Sequence, residues 1–135
     1  MICEHSPISL NRPEYSFVEH ACYMYGFIVV GLHTSYNPST ILSILDKTKT
    51  EVIVVDNLDR IESFKTQLLE KNYIKGILIT DNVTSNKNEK IKDIPKILKT
   101  KQQSDVRPRP NIDPDSIATF ILTSGTIGER KKLLL

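Results

Sequence analysis

Three short charge-free runs, Phe27-Ile28-Val29-Val30, Val52-Ile53-Val54-Val55 and Ile77-Leu78-Ile79, recur along the chain with a helical pattern between each pair. A run with apolar residues at every position suits a strand buried on both of its faces, which belongs to parallel rather than antiparallel sheets. The intervening stretches repeat at three and four residues instead of two. Pro38-Ser39-Thr40 opens a helix whose Ile41, Leu42, Ile44 and Leu45 share one side before Asp46 and Lys47. A further helix is expected over 58–71, with Ile61, Phe64, Leu68 and Leu69 inward and Glu62, Lys65 and Glu70 outward. Alternation of this kind predicts an open, largely parallel α/β sheet with helices on both faces.

An earlier helix is expected over 13–25. Asn11 is placed to cap it, Pro13 to start it and Gly26 to end it, while Phe17, Ala21, Met24 and Tyr25 form its apolar repeat. The whole chain of 135 residues sets a ceiling of one domain. Its longest apolar run, 27–32, is far short of the ~20 residues that span a bilayer. Residues 1–10 lack the basic start and continuous apolar stretch of a signal peptide and carry Glu4 and His5 instead.

Residues 81–115 change character to Asn, Lys, Ser, Asp and Pro, and no aromatic residue stands between Tyr73 and Phe120. They are expected to form a surface excursion. Within it, Ile91, Ile94, Ile97 and Leu98 suit one short amphipathic helix disturbed by Pro95, and 107–110 suits an extended connector. Between Lys87 and Arg109, eight basic residues face Glu89, Asp93 and Asp105. With no interleaved aromatics to stack on bases, nucleic acid is not an expected partner; peripheral contact with an anionic membrane stays open. Cys3 and Cys22 have no metal-ligand spacing and are read as ordinary thiols. His5, His20 and His33, on a tail, a helix and a strand end, do not suggest a metal site.

Phosphate chemistry is suggested near the end of the chain. A strand of Ile117, Ala118, Thr119, Phe120, Ile121 and Leu122 would deliver Thr123, Ser124, Gly125, Thr126 and Gly128 to a sheet edge. Glycines let backbone N–H groups approach an anion, hydroxyls add donors, and the lysines that follow can reach a phosphate. The bland alternative is a polar turn between strands with a basic tail. The spacing is not that of a Walker loop, because Arg130 stands five residues after Gly125.

Thr123-Ser124-Gly125-Thr126-Ile127-Gly128-Glu129-Arg130-Lys131 resembles the Thr-Ser-Gly-Thr-Thr-Gly-x-Pro-Lys-Gly signature of the adenylate-forming (AMP-binding) superfamily. Asn11-Arg12-Pro13-Glu14-Tyr15, Glu19-His20-Ala21-Cys22, the 26–32 strand and Asp56 are similar to the corresponding stretches of its long-chain fatty acid CoA synthetases. The resemblance implies a partial N-terminal domain over 1–135 and, for the full-length family, ATP-dependent activation of a fatty acid with Mg2+ to an acyl-adenylate, then transfer to coenzyme A. It implies that Thr123, Ser124, Gly125, Thr126, Gly128 and Lys131 contact the ATP phosphates. It further implies an intracellular setting, at the endoplasmic reticulum or another membrane, or otherwise in the cytoplasm.

Three positions depart from the signature. Ile127 replaces a hydroxyl, Arg130 the proline and Lys132 the final glycine. A missing charge-assisted donor costs on the order of 1.5–3 kcal/mol, which implies a looser hold on phosphate. The family's adenine, ribose and hinge motifs and its mobile C-terminal domain do not occur in the sequence, so the chain is expected to be a fragment of the ligase, inactive alone. The alternative is a non-enzymatic module that binds an anion, a nucleotide or a partner.

Overall fold

The computed structural model describes residues 2–5, 13–33, 35–81, 88–122 and 132–134. In chain order the elements are β1 (Ile2–His5), α1 (Pro13–Met24), β2 (Val29–His33), α2 (Pro38–Thr48), β3 (Val52–Val55), α3 (Lys65–Glu70), β4 (Gly76–Ile79), β5 (Ile91–Asp93), α4 (Ile94–Thr100), β6 (Thr119–Leu122) and β7 (Lys132–Leu134). Short 3-10 turns occupy Leu58–Arg60, Glu62–Phe64 and Gln103–Asp105.

The chain divides into two compact units, Ser35–Arg107 and the combination of Met1–Thr34 with Pro108–Leu135. In the Ser35–Arg107 unit, β4 lies between β3 and β5 and runs parallel to both, with Val52 opposite Gly76 and Ile77 opposite Ile91. Ile53, Val54, Val55, Ile77 and Ile79 are buried there with Ile44, Leu45, Phe64, Leu68 and Ile74. In the other unit, β2 lies between β1 and β6, parallel to both, and β7 returns antiparallel to β6. The α/β class with a largely parallel sheet is therefore the observed one.

The ends of the helices follow from local chemistry. Asn37 Oδ1 accepts hydrogen bonds from Thr40 N at 2.8 Å and Ser39 Oγ at 2.8 Å, and Pro38 occupies the first turn, where its lack of an N–H leaves nothing unpaired. At the end of α1, Phe27 N donates to Cys22 O at 2.9 Å and Gly26 N to Tyr23 O at 3.2 Å. That pairing is a Schellman closure; it needs a left-handed residue, and Gly26 supplies it at φ +70°.

Several expected boundaries move. The Gly26 closure takes Phe27 and Ile28 out of the strand, so β2 begins at Val29 and Phe27 is exposed. The continuous helix expected over 58–71 is two 3-10 turns followed by α3. Ile61 and Phe64 are three apart, a spacing that 3-10 and α geometry both satisfy, and both are buried as expected. Ile91 lies in β5 rather than on a helix, and α4 begins at Ile94 with Asp93 Oδ1 capping Lys96 N at 2.9 Å. Pro95 causes no disturbance, because it sits in the first turn.

Candidate functional site

β6 and its neighbours frame the expected phosphate loop. Val29 N donates to Ala118 O at 2.9 Å, Val29 stands opposite Thr119, and Val30 stands opposite Phe120. Thr119 Oγ1 adds a bond to Val29 O at 3.0 Å. The start of β6 is thus fixed to β2 through main chain and side chain together. The strand is Thr119–Leu122, two residues shorter at its start than the sequence suggests. On its other edge, Phe120, Ile121 and Leu122 face Leu134, Leu133 and Lys132. The chain leaves β6 at Leu122 and re-enters beside it at Lys132, as a hairpin does. Thr123, Ser124, Gly125, Thr126, Gly128 and Lys131, with Ile127 and Arg130, lie outside the described residues.

The other matched residues are structural. Pro13 is the first residue of α1. On the same helix, Glu19 Oε1 accepts from Tyr23 Oη at 3.1 Å and from Tyr15 Oη at 3.5 Å. Partial burial, followed by the Glu19 hydrogen bond and charge, raises the Tyr23 pKa, and the Thr119 hydroxyl opposes that shift. Cys22 is a free, buried thiol whose Sγ donates to Val18 O at 2.8 Å; burial raises its pKa. Asp56 follows β3, accepts Asp81 N at its carbonyl at 2.9 Å and lies 3.9 Å from Arg60 Nη2. Asn11 and Arg12 lie outside the described residues.

His5 is in a strand rather than a tail, in register with His33. Among the described residues, no three His, Cys, Asp or Glu side chains form a metal-binding group, and no helix is long and apolar enough to cross a membrane. Sequence reasoning passed over Asn57 and Thr80, which follow β3 and β4. Asn57 Oδ1 and Thr80 Oγ1 are buried without a hydrogen-bond partner among the described residues. Neither stands in a motif that would single it out.

The family model for AMP-binding enzymes matches residues 8–134, enclosing β6, β7 and the stretch between them. Guinea-pig (Cavia porcellus) long-chain-fatty-acid–CoA ligase 1 is 28% identical over 136 aligned positions, covering 93% of this chain and 19% of the relative. The Arabidopsis thaliana peroxisomal long chain acyl-CoA synthetase 7 is likewise 28% identical, again over 93% of this chain and 19% of its own length. Among solved structures, an anthranilate CoA ligase in complex with anthranoyl-AMP superposes with a TM-score of 0.76 at 18% identity, over 98% of this chain and 24% of that one. A Brucella canis acyl-CoA synthetase superposes at 0.70 and 15% identity, over 98% and 22% of the two chains. These structures share the fold, and the chain spans about a fifth of the length of the curated relatives it matches. With a family match running through nearly all of its length, the chain belongs to the AMP-binding enzyme family.

Proposed function

We propose that this chain carries the phosphate-binding part of an ATP-dependent long-chain fatty acid:CoA ligase. The observation that carries the reading is the family match over 8–134, which includes the hydroxyl- and glycine-rich stretch from Thr123 to Lys131 between two antiparallel strands. In this reading ATP supplies the activated phosphorus that a fatty acid carboxylate attacks, with pyrophosphate leaving. The amides around Gly125 and Gly128, the hydroxyls of Thr123, Ser124 and Thr126, and the Lys131 ammonium hold the outer phosphates. Fixing them in line lowers the entropic part of the barrier, and spreading their charge favours departure. These groups suit a polyanion, being hydrogen-bond donors and a cation with Glu129 as the single acid among them. Mg2+ enters with the nucleotide, and coenzyme A accepts the acyl group in the complete reaction. The setting proposed is intracellular and membrane-associated, at the endoplasmic reticulum or a comparable organelle.

In this reading the chain by itself binds the phosphates without turnover. A fluorescent ATP analogue tests this. Pyrophosphate is expected to displace it and adenosine is not, and no exchange of labelled pyrophosphate into ATP is expected with fatty acid present. Failure to bind, or displacement by adenosine rather than pyrophosphate, would sink the reading.

A further inference from the structure

Positive charge is concentrated in one stretch of this chain. Residues 90–107 carry six Lys or Arg against two Asp, a net +4, in a chain whose total is +2, so the remainder is net −2. The stretch belongs to the Ser35–Arg107 unit and comprises β5, α4 and the turn at Gln103–Asp105. Three other lysines of that unit are held by carboxylates: Lys65 Nζ lies 2.6 Å from Glu62 Oε2, Lys71 Nζ 2.7 Å from Asp46 Oδ1 and Lys75 Nζ 2.6 Å from Glu51 Oε1. Lys92, Lys96, Lys99 and Lys101 are exposed, and among the described residues their ammonium groups form no ion pair.

The two acids of the stretch bond to main chain. Asp93 Oδ1 accepts from Lys96 N at 2.9 Å, and Asp105 Oδ2 accepts from Gln102 N at 2.9 Å. Ile94 and Ile97 are half-buried and form the packed side of α4, while Lys96 and Lys99, three apart and therefore neighbours on a helix surface, are exposed. Leu98, beside Lys99 in the chain, is 71% exposed, and Val106 is 57% exposed. Unpaired cations attract anionic headgroups, and an aliphatic side chain among them gains by entering the boundary between headgroups and acyl chains.

We infer that Lys92, Lys96, Lys99 and Lys101, with Leu98 and Val106, form a docking surface for an anionic phospholipid membrane. The inference rests on the membrane-associated setting proposed above and deepens it by naming the surface and the headgroup charge it takes. Lipid suits these residues better than nucleic acid does. A polynucleotide would occupy the lysines alone and leave Leu98 and Val106 in water, and no aromatic residue stands between Tyr73 and Phe120 for bases to stack on. Helix α4 is seven residues long, too short to hold a bilayer by apolar burial, so the contact is chiefly electrostatic and reversible. It weakens as salt shortens the Debye length from about 10 Å at 0.1 M to about 3 Å at 1 M.

The test sediments the purified chain with vesicles of phosphatidylcholine, with and without phosphatidylserine. Binding is expected only where phosphatidylserine is present and is expected to fall as sodium chloride is raised. Lys96→Gln and Lys99→Gln are each expected to weaken it about 5-fold, the worth of one lysine near an anionic surface. Leu98→Ser is expected to weaken it too, at every salt concentration. Lys65→Gln and Lys75→Gln remove the same charge from ion-paired lysines of the same unit and are expected to leave binding unchanged. Because Lys96, Leu98 and Lys99 are exposed, unchanged circular dichroism melts verify that their variants fold. Three outcomes overturn the inference: no binding to phosphatidylserine vesicles, equal losses in Lys65→Gln and Lys96→Gln, or displacement of the vesicles by an equal concentration of duplex DNA phosphate. Displacement of the ATP analogue by pyrophosphate is followed in the same samples. Loss of vesicle binding with that displacement intact refutes the membrane surface alone, and loss of displacement refutes the functional reading.

Discussion

Leu122 and Lys132 stand opposite each other across the antiparallel β6–β7 pair. Opposed Cα atoms in such a pair are about 4.5–5.5 Å apart, so the intervening stretch starts and ends at one place on the sheet edge. Lys131 immediately precedes that return point. Its replacement in Lys131→Ala is expected to weaken binding of an ATP analogue by about 1.5–3 kcal/mol, roughly 10- to 150-fold, without moving the melting temperature. Calorimetric titration and a thermal melt measure the two effects. Restoring the missing hydroxyl with Ile127→Thr is expected to move affinity the other way.

Asp46 anchors a surface clasp. Lys71 Nζ lies 2.7 and 2.9 Å from its two oxygens, and Tyr73 Oη donates to Oδ1 at 2.6 Å. These bonds, the one from Lys71 foremost, hold the Asp46 carboxyl below its usual range. A depressed carboxylate pKa contributes stability that is fully present above the unfolded value and is lost as pH falls through the folded one. Because the Asp46 side chain is 47% exposed, screening keeps the effect of Asp46→Asn under about 1 kcal/mol near neutral pH. Urea melts of the two proteins are expected to differ at neutral pH and to converge once Asp46 is protonated.

Asn37 closes the start of α2 with two side-chain hydrogen bonds. Asn37→Ala is expected to cost about 1 kcal/mol, while Asn37→Asp or Asn37→Ser restores most of it. Denaturant midpoints at constant slope provide the comparison.

Cys22 is 1% exposed, and burial raises its thiol pKa. Little thiolate forms and reagents cannot reach it, so alkylation of the native protein at mildly alkaline pH is expected to spare Cys22 and to proceed after unfolding. Peptide mapping by mass spectrometry reads the outcome; rapid native labelling at Cys22 would contradict the packing of α1 against β2.

The sheet was legible because runs such as Val52–Val55 are apolar at every position, a pattern that few other buried elements of that length produce. The strand of Ile91–Asp93 was not, because a single buried isoleucine followed by Lys92 carries no period, and Ile94 and Ile97 beyond it suggest a helix. The α1 repeat shows a different limit. Spacing puts Phe17, Ala21, Met24 and Tyr25 in one apolar repeat, but Cys22 is the buried residue of the helix, since periodicity says which residues share a face and not what covers it. Gly26 was readable as a helix end from its type, while the position of Phe27 outside β2 depended on the Schellman bonds that follow. The residues proposed to hold phosphate are marked only by their local sequence, hydroxyls and glycines after an apolar strand.

Whether the Thr123–Lys131 stretch holds the phosphates of ATP, on which the functional reading turns, is decided by amide chemical-shift mapping of the labelled chain. On addition of Mg2+ and ATP, saturable shifts are expected at Thr123, Ser124, Gly125, Thr126 and Gly128, reproduced by pyrophosphate and lost in Lys131→Ala. Shifts confined to the lysines between Lys90 and Lys101, or no saturable shifts at the glycines, would contradict it.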